Sequence, residues 1–140
     1  MKSSSLLVAV FVLNITVFSQ SSKIDSLRNS LRYQNELSQR IETIAELGKL
    51  FKEYSTDSIL LYGKMALREA RVHEDIFNEA RAIHTLSSGF YHAGKFDSSI
   101  HYGKAGLELI KEKGHDELES SLLRSIGGSY RNAGLSLIHI

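Results

Sequence analysis

Apolar residues recur along this chain with the period of a helix. Ile41, Ile44, Gly48 and Phe51 fall at i, i+3, i+7 and i+10, the spacing of one helical face. Leu47, Leu50 and Tyr54 widen that stripe onto a neighbouring face. A helix that is apolar on two faces must pack between two partners, as in a stacked array. The same reading along the chain predicts helices over 24–33, 38–54, 57–72, 75–92, 97–113 and 116–133. No segment carries the sustained alternation of a strand. Turn chemistry agrees with these boundaries. Ser55-Thr56-Asp57 offers a cap to the helix that follows, and Gly94 ends one helix before Asp97 begins the next. Gly114 is expected to close that second helix, and Asp116 to cap the third repeat.

The helical pattern repeats. Ile44-Ala45-Glu46-Leu47-Gly48-Lys49-Leu50-Phe51, Ile83-His84-Thr85-Leu86-Ser87-Ser88-Gly89-Phe90 and Leu123-Arg124-Ser125-Ile126-Gly127-Gly128-Ser129-Tyr130 share the order aliphatic, x, x, aliphatic, tiny, x, x, aromatic, at steps of 39 and 40 residues. A second set agrees at an offset of 40: Asp57 to Leu67 against Asp97 to Leu107, with Tyr-Gly-Lys-x-x-Leu intact in both. The small residues Gly48, Ser87 and Gly127, and likewise Gly63 and Gly103, are the positions where a partner helix is expected to approach closely.

These residues resemble the tetratricopeptide repeat (TPR), an antiparallel helix pair that stacks into a superhelix. The first-helix signature of that family matches Leu47-Gly48…Phe51 and Ile126-Gly127…Tyr130, and its turn and small-residue second helix match Gly94-Lys95-Phe96 and Ser99…Gly103…Gly106-Leu107. The period, nearer 40 than the usual length, and the absence of the proline that often closes the second helix are departures. The resemblance implies an all-α, antiparallel helix-pair superhelical solenoid of about two and a half repeats. The repeats would occupy 38–134, divided as 38–74, 75–114 and an incomplete 115–134, after a leading helix and linker at 20–37. Longer repeats of this type, after a signal and a short leading helix such as 24–31, look like the exported sensor regions of Bacteroidetes-type TPR histidine kinases or transcriptional regulators.

Both ends of the sequence are expected to lie outside the repeats. Lys2, an apolar run from Leu6 to Phe18, and Val17-Phe18-Ser19 have the layout of a signal peptide over 1–19, cut after Ser19. The run is shorter than the roughly 20 residues that a spanning helix requires, which disfavours an uncleaved anchor. An exported, periplasmic location follows as the expectation. The last six residues, Leu135 to Ile140, match the translation of a sequencing-library adapter, CTG TCT CTT ATA CAC ATC, so 135–140 is expected to be an artefact. Native sequence would then continue past Gly134, and any membrane attachment would come from a downstream segment.

Composition narrows the chemistry. Seventeen Lys and Arg against sixteen Asp and Glu leave a net charge of +1, without the basic excess of a nucleic-acid binder. No cysteine is present, which removes disulfides, thiolate metal sites and a cysteine nucleophile. His73-Glu74 opens like a zinc-protease motif, but Phe77 stands where the second histidine belongs. His84 and His92 lie eight apart, roughly 80° around a helix, which is no chelating pair. No nucleophile elbow or phosphate-binding loop occurs. Glu74-Asp75 and Asp116-Glu117 read as charges at helix starts, favoured by the macrodipole. The expectation is therefore a non-enzyme segment with no catalytic residues, no cofactor and no metal.

What remains is the groove that the first helix of each pair would line. Stacking aims Glu42, Ala45, Lys49 and Lys52 into it from the first repeat, and Arg81, His84, Ser88, Tyr91 and His92 from the second. Ser121, Arg124, Gly128, Arg131 and Asn132 follow from the third. The candidate binding residues are Lys49, Lys52, Arg81, His84, Tyr91, His92, Arg124 and Arg131. Five cations and one acid favour a carboxylate-bearing or acidic protein or peptide ligand through charge-assisted hydrogen bonds. The chaperone-binding clamp of the TPR family is not reproduced, since Ser88 and Gly128 stand at the positions equivalent to Lys49. A peptide-binding sensor module is the leading reading. A free-standing periplasmic scaffold, and repeats that regulate an enzyme domain beyond Gly134, are the alternatives.

Overall fold

The computed structural model describes residues 21–51 and 55–138, with 135–138 as backbone alone. The expected signal peptide, Lys52, the last residues of the expected second helix and the final two adapter positions lie outside the described residues. Among the described residues the chain is all-α, with six helices and no strand. They are α1 (21–33), α2 (Leu37–Phe51), α3 (Thr56–Val72), α4 (Ile76–His92), α5 (Phe96–Ile110) and α6 (Asp116–Ile138).

Each helix from α2 to α6 packs against the next in sequence, so the chain is a run of helix hairpins. A second set of contacts sets the layering: α2 also touches α4 and α4 touches α6, whereas α3 and α5 do not meet. The first helices of successive hairpins therefore form one layer and the second helices the other. Small residues on α3 and α5 allow this closeness. A Cβ on Gly63 would stand 2.8 Å from Leu86 Cδ2, and one on Gly103 only 2.5 Å from Ile126 Cγ1. Side chains of the first layer thus seat directly on backbone of the second.

The core follows the two apolar faces of α2 and α4. Ile41, Ile44, Leu47, Tyr62, Ala66, Ala70 and Ala82 form one buried cluster, with Ile24, Leu27 and Leu31 of α1 packed against it. A second joins Ala80, Ile110 and Leu122. The rings of Phe51 and Tyr62 stack at 5.7 Å, and those of Phe90 and Tyr102 at 5.1 Å. These two pairs are repeat equivalents. α1 closes the first pair from outside: Arg28 Nε donates to Tyr62 Oη at 3.1 Å, and its guanidinium lies 5.4 Å from the Phe51 ring centre. Arg40 ties the same end together, donating twice to the Glu69 carboxylate at 3.0 and 2.8 Å and from Nη1 to the Leu31 and Gln34 carbonyls.

Turns are capped as the residue types dictate. Ser55 Oγ accepts from the Ser58 N–H and Asp75 Oδ1 from the Asn78 N–H, each opening a helix. At the end of α4, Gly94 takes φ 69°, its N–H reaching the Tyr91 carbonyl and that of Lys95 the Phe90 carbonyl. This pair of bonds closes the helix around a left-handed residue. The same bonds end α3, but there Glu74 takes φ 55° without glycine's freedom.

Three expectations need correction. α5 stops at Ile110, because Lys111 is extended and Glu112 takes φ 60°, so Gly114 belongs to the turn and does not close the helix. Gly127 is not a point of close approach, since nothing lies within 4 Å of a Cβ built there. The helix expected over 116–133 continues to Ile138, and Asp116 lies in its first turn.

Candidate functional site

The layer formed by α2, α4 and α6 brings the expected groove residues together in part. Small residues let its helices come close: a Cβ on Gly48 of α2 would stand 3.2 Å from Thr85 Cγ2 of α4, and one on Gly128 of α6 3.2 Å from the Tyr91 ring. His84, next to Thr85 on the middle helix, is half-buried. Burial holds its imidazole below the usual range, and the charges of Lys49 and Arg124 push the same way. Lys49 of α2 and Arg124 of α6 thus both act on His84 of α4, which lies in the helix between theirs in that layer. Lys49 and Arg124 are both exposed, so their charges are offered to solvent.

The other expected residues divide. Tyr91 is built in, its hydroxyl accepting from Asn132 Nδ2 at 3.0 Å and so joining α4 to α6. His92 packs edge-on to the Tyr91 ring at 5.2 Å. Arg131 is exposed. Arg81 lies toward the start of α4, where its Nη1 donates to Asn78 Oδ1 at 3.3 Å and its guanidinium lies 5.8 Å from the Phe77 ring centre. That restraint makes it a poorer ligand donor than Arg124. Lys52 is outside the described residues.

Sequence reasoning missed a buried hydroxyl cluster. Ser87 Oγ donates to the Ser99 carbonyl at 2.9 Å, and Ser129 Oγ lies 2.8 Å from both Ser99 Oγ and the Ser125 carbonyl. All three serines are fully buried, joining α4, α5 and α6. Each has its partners, and these are hydroxyls and backbone carbonyls, so the cluster is a structural tie between helices. Ser87, as the small residue of its repeat, and Ser99, as part of the small-residue second helix, carried a signal for close packing, but not for a hydroxyl cluster. A wide-mouthed polar cavity of about 490 Å³ at the α1–α2 turn was also not anticipated; Ser26, Asn29, Ser30, Tyr33, Gln34 and Gln39 are among its lining residues. Its walls are uncharged, so it offers hydrogen bonds without acid–base chemistry.

Among the described residues, no group of three or more His, Asp or Glu converges as metal ligands would, and no helix is long and apolar enough to cross a membrane. Comparison with protein-family models, with characterised proteins and with solved structures gave no match.

Proposed function

We propose that this chain is a TPR-like helix-pair array that recognises a protein or peptide ligand along the α2/α4/α6 layer. The observation that carries the reading is that Lys49, His84 and Arg124 stand one on each helix of that layer, with both exposed cations acting on the imidazole. Two solvent-facing cations on one layer favour a ligand carboxylate, by charge attraction and by charge-assisted hydrogen bonds. Internal repetition at a step near 40 and the hairpin layering support the solenoid part of the reading. In the same reading the module is exported to the periplasm and serves as the sensor region of a histidine kinase or transcriptional regulator. This role rests on resemblance.

The test is fluorescence anisotropy with a Glu-rich peptide and its Gln-substituted counterpart. The acidic peptide should bind at least tenfold tighter, the margin should shrink as salt rises, and Lys49→Glu with Arg124→Glu should abolish it. Equal binding of the two peptides, or binding indifferent to both substitutions, rejects the electropositive face as the site.

A further inference from the structure

The two apolar faces of α4 have separate partners. Leu86 and Gly89 face α3, where a Cβ on Gly89 would stand 2.9 Å from Ile59 Cγ2. Ile83, Ser87 and Phe90 face α5: Ile83 Cγ2 lies 3.2 Å from a Cβ built on Gly106, Ser87 bonds Ser99, and Phe90 stacks on Tyr102. Moving along the chain by 40 residues carries these two sets onto α6. The first set becomes Ile126 and Ser129, 8% and 0% exposed under α5. The second becomes Leu123, Gly127 and Tyr130. Leu123 is 51% exposed, Tyr130 53% exposed, and Gly127 has nothing within 4 Å of a built Cβ. The apolar face of α6 is therefore covered on one side only, and its open side repeats a surface that α5 covers on α4.

We propose that the Leu123/Gly127/Tyr130 stripe of α6 is a docking surface for one partner helix with the chemistry of α3 and α5. That helix carries Tyr-Gly-x-x-small-Leu, as in Tyr62-Gly63-Lys64-Met65-Ala66-Leu67 and Tyr102-Gly103-Lys104-Ala105-Gly106-Leu107. Its tyrosine stacks on Tyr130 as Tyr102 stacks on Phe90 and Tyr62 on Phe51. Its small residue, one helical turn later, receives Leu123 as Gly106 receives Ile83. Lys104, whose Nζ lies 5.6 Å from the Tyr130 ring centre, already holds one side of that ring. The contact continues an interface the chain builds twice, as expected where each repeat contacts only its neighbours. A second copy is the poorer occupant. Its α6 laid antiparallel on this one, centred on Gly127, would set the exposed Arg124 of each copy near the exposed Arg131 of the other, like charge against like. The inference stands apart from the ligand reading of the α2/α4/α6 layer.

A labelled synthetic peptide of the α5 sequence, Phe96 to Ile110, titrated into the intact chain, tests this. Saturable one-to-one binding is expected, weakened at least tenfold by Leu123→Glu or Tyr130→Glu, and by Gly106→Leu within the peptide. Leu61→Glu, at an exposed apolar site on α3, should leave binding unchanged. Both α6 side chains are half in solvent, so circular dichroism of those variants should match the parent. Absent binding, binding indifferent to the α6 substitutions, or a dimer that those substitutions dissolve each overturns the proposal; the last would make a second copy the occupant.

Discussion

Alanine at Gly103 and alanine at Gly127 are the same chemical change in mid-helix, yet they should act in opposite directions. At Gly127 a Cβ meets nothing within 4 Å, so only the helix preference operates, worth about 0.8–1.0 kcal/mol in favour of alanine. At Gly103 the new atom stands 2.5 Å from Ile126 Cγ1 and 3.1 Å from its Cδ1, with Ser87 Oγ at 3.3 Å. Carbon atoms rest about 3.5–4.0 Å apart, so α6 must withdraw by roughly an ångström or Ile126 must leave its rotamer. Cγ1 moves only if χ1 changes, so bending at the tip of the side chain cannot relieve the contact. Overpacking of this kind costs about 1–3 kcal/mol, which outweighs the helix preference and leaves Gly103→Ala net destabilising by about 1 kcal/mol. The two variants should therefore differ by about 2 kcal/mol. Urea unfolding followed by far-ultraviolet circular dichroism measures this, provided the slopes agree, so that midpoints alone carry the difference. A Gly103→Ala chain as stable as Gly127→Ala would refute the claim that α5 and α6 meet at that glycine.

Three further outcomes are expected. Ser129→Ala should cost about 1–2 kcal/mol in the same assay, because Ser99 Oγ loses its 2.8 Å partner in a fully buried site, whereas Ser125→Ala removes only a bond to its own helix at 3.2 Å and should cost a few tenths. The Asn78 N–H holds the Asp75 carboxyl below its ordinary value of 3.8, so its contribution is present above that pH and is lost as pH falls through the folded value. Asp75→Asn keeps the cap and should flatten that acid limb, while Asp75→Ala should cost about 1 kcal/mol at neutral pH. His84 is held below 6.5 by burial and then by Lys49 and Arg124, so its contribution is complete above pH 6.5 and declines as pH falls toward the lowered value. In a titration followed by nuclear magnetic resonance, Lys49→Gln and Arg124→Gln should each move that value up, and an unchanged titration would separate those cations from the histidine.

The repeat made much of the fold legible, because aligned residue types at a fixed step mark equivalent helices. Close approach at Gly48, Gly63 and Gly103 was readable for that reason. Gly127 was not, although it aligns with Gly48 and Ser87. An alignment reports what a position is, whereas close approach depends on whether a neighbour is there to make it. The same limit applies to α6, whose Leu122, Leu123, Ile126 and Tyr130 stand at helical spacing as one broad apolar stripe. α5 splits that face in two, burying Leu122 and Ile126 and leaving the other pair open. The end of α5 was misplaced because glycine was taken as the breaker, when Glu112 adopts the left-handed conformation itself. At the candidate site, stacking logic named Lys49, His84 and Arg124. It could not show that the imidazole would be half-buried, since burial of a polar side chain is set by the neighbouring helices.

The layer that carries the candidate site is shaped from behind. α5 is thin along the side that meets its neighbours: Gly106 receives Leu122 Cδ2 at 2.9 Å from α6 and Ile83 Cγ2 at 3.2 Å from α4, measured to a built Cβ. Two first-layer helices therefore close over one second-layer helix and reach each other, which they could not do across a row of large side chains. That reach sets Tyr91 against Gly128 and brings Arg124 within electrostatic range of His84. The residues that decide how closely the charges gather are thus glycines on the opposite layer, with no chemistry of their own. This also explains why the two layers tolerate different residue types. A first helix needs large apolar groups on two faces and is free to place polar ones on the third, where a ligand would be read. A second helix must stay small on the faces its neighbours close upon, so Gly63, Ala66, Gly103 and Gly106 recur at the step of the repeat.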